Sequence, residues 1–275
     1  MLLHQDSRYS PRLLSLAVAA LLGLAGTTAH AETGSASAHD VSIHINLLGL
    51  ATLDVDPQAP STIDNQSVAT YQQNSVPGLD IGDLLLHLST GTIDTEAEYA
   101  PSTGISGAGA HVSIEDLNLS AVDLLGAGLL SITARTIQSR SRVMGYCLSG
   151  AGIKSRDMFD DIAFFNGFDD GNIKPGGPGG VPDPGDVVLD DLTISILGIP
   201  VPALPLNPPP NTNIDLASLG IAGATLILNE QTFGGDGVNS GSLTSNAVRL
   251  TLNATNLITA DVLIAHSEGK LDCTQ

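Results

Sequence analysis

The amino-acid sequence predicts an all-β protein, with antiparallel sheets that pack as a sandwich or form a barrel. Three observations lead to this prediction. Apolar residues alternate with polar ones, Gly and Pro separate the alternating segments, and no long amphipathic helix pattern is found. In residues 41–47, Val, Ile and Leu alternate with Ser, His and Asn, which is the period of a half-buried strand. A β-solenoid is the alternative fold, because many short β segments also suit stacked coils.

The clearest alternation is found in four segments: residues 41–47, 93–99, 248–252 and 258–264. In the second of them, Asp and Glu occupy every other position, which predicts a strand with an acidic outer face. Residues 117–130 are the best helix candidate, but Gly126 and Gly128 interrupt the pattern, and a bulged strand fits it equally well.

An internal repeat predicts the domain organisation. A shift of 126 residues superimposes residues 132–147 on 258–273, with five identities in 16 positions and no gap. We therefore expect two related β units, 32–153 and 187–275, packed together as one domain. Between them, residues 154–186 combine an acidic, Phe-containing insert with a linker too rich in Gly and Pro to form an element.

The first 31 residues have the parts of a secretory signal peptide. Arg8 and Arg12 precede the uncharged run 13–24, which is shorter than the roughly 20 residues that cross a bilayer core. Small residues flank His30 at the end of this region, as a signal peptidase requires. We expect cleavage after Ala31 and secretion into the periplasm or the medium. No later segment has a long apolar run, so we expect no membrane span.

The net charge of −19 at pH 7 bears on possible partners. Phosphate backbones are bound through Lys and Arg, so a chain this acidic is not expected to bind nucleic acid. Other components of the cell surface or its matrix are the expected partners.

Known catalytic and cofactor motifs do not fit the sequence. His39 and His44 are five residues apart and lack the Glu of a zinc-protease helix, and the glycines around Ser106 miss the spacing of a nucleophile elbow. The histidines of the mature chain are scattered, and we expect them on the solvent side, on or beside strands: His39, His44, His87, His111 and His266. The sequence therefore predicts no catalytic residue, no cofactor and no enzymatic activity.

One acidic cluster is a candidate calcium site. Calcium takes six to eight oxygen ligands, and the predicted insert supplies Asp157, Asp160, Asp161, Asp169, Asp170 and Asn172. Their spacing does not match the known calcium-loop pattern, so a solvated acidic loop is the favoured interpretation and calcium the alternative.

The C-terminal half has a recognisable order of segments. Residues 226–231 (LILNEQ) are followed by a Gly-rich turn at 234–241, an alternating strand at 242–251 and a Cys-terminated strand at 260–273. This order resembles the choice-of-anchor P family of secreted bacterial proteins, and residues 130–147 are similar to that family's first Cys-terminated strand. The resemblance implies a location at the bacterial cell exterior and no particular activity. Because the sequence stops two residues after Cys273, we expect secretion without an anchor.

Together, these features predict a non-enzymatic secreted or surface-associated protein with a structural or adhesive role at the bacterial cell exterior. Two alternatives stay open. One is a calcium-dependent extracellular binding module centred on the insert, and the other is a secreted hydrolase that uses two of the many carboxylates. The aromatic content of 3% does not favour an aromatic-lined cleft, which sugar hydrolysis would need.

We predict that Cys147 and Cys273, one at the end of each repeat, form a disulfide, because exported proteins enter an oxidising compartment. The loop-closure entropy of this bond would stabilise the fold by about 5 kcal/mol. Non-reducing peptide mapping should recover the two cysteine peptides linked to each other. Two free thiols, or a dimer joined through either cysteine, would contradict the prediction.

Overall fold

The protein is seen in a computed structural model that describes residues 31–47, 51–82, 85–101, 106–122, 128–145, 185–202, 204–236, 240–254 and 258–274. These residues form sixteen strands: β1 Ala31–Leu47, β2 Ala51–Val55, β3 Ser61–Gln66, β4 Thr70–Val76, β5 Leu79–Gly82, β6 Leu86–Thr90, β7 Ile93–Ala100, β8 Ser106–Val122, β9 Gly128–Gly145, β10 Gly185–Asp190, β11 Thr193–Ile196, β12 Ile199–Pro200, β13 Thr212–Ile214, β14 Ala224–Gly234, β15 Ser240–Ala254 and β16 Ile258–Thr274. A short 3₁₀ helix, Ala217–Leu219, precedes β14.

Within the described residues, the strands form two antiparallel sheets that face each other as a sandwich. The first sheet has the order β13-β14-β15-β16-β1-β2, and β3 also pairs with β1. The second has the order β12-β11-β9-β8-β6-β5, with β10 on β9 and the pair β7-β4 on β8. The predicted all-β fold with antiparallel sheets is confirmed. The solenoid alternative is not observed, because the coils of a β-helix stack in parallel.

Alternating apolar residues form the core, as the sequence predicts for half-buried strands. In β1, Val41, Ile43 and Ile45 are at most 1% exposed, while His44 between them is exposed. The other three predicted segments show the same alternation in β7, β15 and β16. Facing apolar surfaces are thereby removed from water, which is the main stabilising contribution of a two-sheet fold.

One half of the core has small residues at many of its buried positions, although Tyr99, Leu243 and Leu271 are also buried there. Its buried positions include Ala36, Ala38, Ala108, Ala110, Ser139, Ser141, Ser245 and Ser267. At Gly269 of β16, an added Cβ would lie 2.6 Å from the carbonyl oxygen of Ala108 and 3.2 Å from the Cα of Gly109. The two sheets therefore approach each other here until backbone contacts backbone.

Hydroxyl groups link the sheets across this narrow half. The Ser139 hydroxyl on β9 lies 2.9 Å from the hydroxyl of Ser267 on β16 and donates to the Ser245 carbonyl at 3.2 Å. Ser61 on β3 lies 2.9 Å from the hydroxyl of Thr95 on β7. These hydrogen bonds satisfy polar groups that would be costly to bury alone.

A row of irregular residues separates the two halves of the core in the first sheet. Asn229, Ala247, Ala265 and Asp40 are neighbours on β14, β15, β16 and β1, between regularly paired residues. Asn229 and Ala265 have φ values of 51° and 54°. All four residues are buried, and each is followed or preceded in its own strand by another buried residue. The alternation of buried and outward-facing residues along these strands is therefore shifted by one residue at this row. We call these four residues the kink row.

The predicted division into two units does not coincide with the division into sheets. Strands β1–β3 belong to the first predicted unit but pair in the sheet formed by β13–β16, and β10–β12 of the second unit pair with β9 and with each other. Strand β10 begins at Gly185, two residues before the predicted start of the second unit. Residues 146–184, which hold Cys147 and most of the predicted insert, lie outside the described residues, so those predictions stay untested.

We predict that Gly269→Ala lowers the free energy of unfolding by about 1–3 kcal/mol, the usual cost of overpacking, because the contacting backbone of Ala108 cannot move aside. Gly107→Ala is the matched control, since its Cβ would meet its nearest atoms at an ordinary 3.6 Å. Urea unfolding of both variants measures the difference. Equal stability of the two variants would contradict the close approach of the sheets.

Candidate functional site on the outer face of the first sheet

A ladder of polar residues crosses the outer face of the first sheet. Glu230 on β14 pairs with Asn246 on β15, Asn246 with His266 on β16, and His266 with His39 on β1. The strand register therefore places four side chains at one level, although they are far apart in sequence. We call these residues the histidine ladder.

Hydrogen bonds connect three members of the ladder. The Asn246 amide nitrogen donates to Glu230 Oε2 at 2.7 Å, and His266 Nδ1 lies 2.7 Å from the Asn246 amide oxygen. Because an amide oxygen only accepts, Nδ1 of His266 carries the proton and Nε2 holds the lone pair. The His39 ring stacks on the His266 ring with centroids 4.4 Å apart and an angle of 16° between planes.

Burial keeps both imidazoles of the ladder neutral. Desolvation, with a smaller contribution from His39, lowers the pKa of His266 to about 4. Desolvation also lowers the pKa of His39. A base with a pKa near 4 accepts protons poorly at neutral pH, because general bases work best when their pKa lies near the working pH. The ladder therefore suits a structural or recognition role better than proton transfer.

Charged groups flank the ladder on the same face. Arg249 reaches Asp261 at 3.4 Å and Glu230 at 3.9 Å, and Glu268 lies 4.0 Å from His266 Nε2. These pairs are partly exposed, so each contributes little to stability. Their effect is to order the side chains around the ladder.

A buried carboxylate lies beside the ladder on the inner side of the sheet. Asp40 follows His39 in β1, belongs to the kink row and is fully buried. Burial raises the pKa of Asp40, and backbone donors, including the Gln58 N–H at 2.9 Å, oppose this effect. Asp40 therefore anchors the turn between β2 and β3 and is inaccessible to an outside ligand.

An open groove lies next to the ladder, between β1, β3 and β16. Its volume is about 350 Å³, and it is lined by Ser35, Ala36, Ser37, Thr62, Ile63, Asp64, Asn65, Glu268 and Lys270. The Ser35 hydroxyl donates to Asp64 Oδ1 at 3.2 Å and accepts the Asn65 N–H at 3.0 Å. Lys270 contacts Asp272 at 2.7 Å.

The groove offers hydrogen-bond donors and acceptors of several kinds. Hydroxyls of Ser and Thr both donate and accept, the carboxylates of Asp64 and Glu268 accept, and the ammonium group of Lys270 donates. This mixture suits a polar ligand that itself carries both donors and acceptors. Within the part of the chain that the structure describes, no group of three or more His, Cys, Asp or Glu side chains is placed to hold a metal ion.

Neither the ladder nor the groove was predicted from the sequence. His39 and His266 were expected to be scattered surface residues, and only the pairing of β1 with β16 brings them together. Cys273 lies near the end of β16, opposite Glu32, while its predicted partner Cys147 is outside the described residues. The same holds for the calcium candidates Asp157, Asp160, Asp161, Asp169, Asp170 and Asn172. The disulfide and the calcium site therefore stay predictions.

The other histidines among the described residues lie apart from the ladder. His44 pairs with Asp54, and His87 lies 3.6 Å from Asp80. His111 lies on β8 of the second sheet, where burial and the nearby Arg140 lower its pKa to about 4.

Comparisons with known proteins find little that is similar to this chain. No protein-family model and no curated protein matches the chain. A solved structure that is similar is Ail, the attachment invasion locus protein of Yersinia pestis. The match has 6% sequence identity and a TM-score of 0.15, and it covers 88% of this chain and 99% of that chain. The resemblance to the choice-of-anchor P family accordingly stays an expectation from sequence.

The expectation that the chain has no membrane span is corrected. It rested on the absence of long apolar runs, which is a criterion for helices, whereas the described residues form strands and one short 3₁₀ helix. Among the described residues, no helix is long and apolar enough to cross a bilayer. That result concerns helices alone, and the broader expectation is withdrawn.

We predict that the ladder makes stability depend on pH. A folded-state pKa of about 4 for His266, below the ordinary 6.5, means that the unfolded chain binds more protons between these values. The contribution of His266 to the free energy of unfolding is fully present above pH 6.5. It falls by on the order of 3 kcal/mol as the pH decreases to 4. Unfolding at several pH values should show a smaller loss in His266→Gln than in the wild type.

The quantity to compare is the loss of stability at low pH in the wild type minus that in His266→Gln. Asp40, whose pKa is raised, stabilises both proteins as the pH falls, so its contribution cancels in this difference. His111→Gln is the control, since it removes a histidine of similarly lowered pKa from the other sheet and should reduce the loss independently. An NMR titration of His266 near pH 6.5 would contradict the assignment.

Proposed function

We propose that the chain is a non-enzymatic binding protein of the bacterial cell exterior, with an adhesive role exerted through the outer face of its first sheet. The observation that carries the proposal is the open polar groove beside the histidine ladder. The signal-peptide pattern of residues 1–31 and the resemblance to secreted proteins support an exterior location.

The composition of the groove favours hydroxyl-rich polymers as ligands. A polysaccharide presents hydroxyls that donate to Asp64 and Glu268 and accept from Lys270 and the Ser hydroxyls. The groove lining has no aromatic side chain on which a sugar ring would stack. We therefore expect weak binding at each site and strong attachment only when several copies act together, as in multivalent adhesion.

A binding role also suits the electrostatics of the ladder. His266 is fixed by Asn246 and stays neutral, so the surface next to the groove changes little in charge near neutral pH. A rigid, hydrogen-bonded surface loses less conformational entropy on binding than a mobile one. The ladder thus preorganises the edge of the groove.

The test is binding of the purified protein to immobilised bacterial polysaccharides, measured by biolayer interferometry. Asp64→Asn and Glu268→Gln should each weaken binding about tenfold, because a hydrogen bond to a charged group contributes about 1.5–3 kcal/mol. Asp80→Asn, the same charge change on an exposed strand of the second sheet, should leave binding unchanged.

Three outcomes would redirect the proposal. Release of reducing sugar ends during incubation would favour the hydrolase alternative. Loss of binding on calcium removal, regained when calcium is added, would favour the calcium-dependent module. Binding that both groove variants leave unaltered would exclude the groove as the binding site.

A further inference from the structure

Strand β4, Thr70–Val76, lies at an open edge of the second sheet. Among the described residues it pairs with β7 on one side and with no strand on the other. With seven residues, it is the longest of the described strands that pair on one side only. Such an edge presents a row of backbone N–H and C=O groups to any strand of suitable direction.

The edge of β4 is uncharged, unlike the other described edge strands of four residues or more. Every other described edge strand of four residues or more carries at least one Asp: Asp54 in β2, Asp64 in β3, Asp80 in β5, and Asp186 and Asp190 in β10. Strand β4 reads TYQQNSV, without a charge or a proline. Charges and prolines are the usual means of preventing edge-to-edge pairing, and β4 has neither.

Exposed apolar groups accompany this edge. Val68, just before the strand, is 64% exposed, and Tyr71 within it is 55% exposed. Gln72, Gln73 and Ser75 are also exposed. A strand added to β4 would cover Val68 and Tyr71, which gives the contact an apolar component beyond the backbone hydrogen bonds.

The carboxylates nearest to the edge lie on β7, one strand further in. There Glu98 lies 3.5 Å from Arg142, which offsets its charge, and Glu96 accepts a hydrogen bond from the Tyr71 hydroxyl and keeps its charge. The edge strand β4 itself carries no charge, so it suits an uncharged partner strand.

We propose that β4 is a self-association edge, where β4 of a second copy of this chain pairs with it in antiparallel direction. The two second sheets become continuous across a two-fold axis, as in closed dimers. Among the described edge strands of four residues or more, this is the one where two copies meet without opposing carboxylates, whereas pairing β2 or β3 with itself would bring Asp residues together. Because each copy has a net charge of −19, long-range repulsion opposes the dimer and salt strengthens it.

Sedimentation equilibrium of the purified chain at low salt and at about 0.5 M NaCl tests the proposal. We expect a monomer–dimer equilibrium that shifts toward dimer at high salt. The variant carrying Gln73→Lys and Ser75→Lys should weaken dimerisation about tenfold or more, because lysines then oppose lysines across the axis. Both new lysines face carboxylates of β7, at Glu96 and Asp94, so the fold should tolerate them.

Thr52→Lys is the control, because it adds a lysine at an exposed position of another edge strand, β2, and it is compared with each β4 lysine introduced singly as well as with the double variant. Hydrogen exchange at high and low protein concentration gives a second measurement on the unmodified chain, in which the amides of residues 70–76 should exchange more slowly in the dimer. A monomer at all concentrations in both salts overturns the proposal. So does a dimer that the β4 lysines leave intact, or one that Thr52→Lys disrupts.

Discussion

The close approach of the two sheets is the constraint on which the rest of the structure depends. Where Gly269 meets the backbone of Ala108, no side chain separates the sheets. Small residues such as Ala36 and Ser267 lie beside this contact, and the buried side chains of Leu243 and Tyr99 flank it. Facing sheets usually lie about 10 Å apart because side chains fill the space between them. Here the long strands β1, β8, β9 and β16 cross from a core of large aliphatic residues to one of small residues. In the first sheet, the kink row lies at that transition.

The kink row connects this constraint with the candidate site. Each of its residues is the immediate sequence neighbour of a ladder residue: Asp40 of His39, Ala265 of His266, Ala247 of Asn246, and Asn229 of Glu230. The same local backbone that turns one residue into the core therefore turns its neighbour outward. Positive φ at Ala265 is unfavourable for an L-residue and persists only because the surrounding sheet determines it. The packing of the core therefore determines where along the strands the ladder residues lie.

Polar groups are distributed in two different ways in this acidic chain. Inside, small hydroxyls such as Ser139 and Ser267 bond to each other across the sheets, and the buried carboxylate of Asp40 is held by a backbone donor. Outside, charged side chains pair across strands and leave β4 as the uncharged edge. Hydrogen bonding in the core gives specificity of packing, and charges at the edges keep most of them from associating.

The sequence by itself determined the fold class and the inner face of the main strands. Alternation in residues 41–47, 93–99, 248–252 and 258–264 is a local property of the chain, and every strand pattern inferred from it is found in the structure. Tertiary structure alone decided which strands share a sheet, because pairing depends on register between segments distant in sequence. It brought His39 onto His266, put Ser35 beside Asp64, and mixed strands of both predicted units in each sheet. The residues of the candidate site carry no local signal, since their chemistry arises only where strands meet.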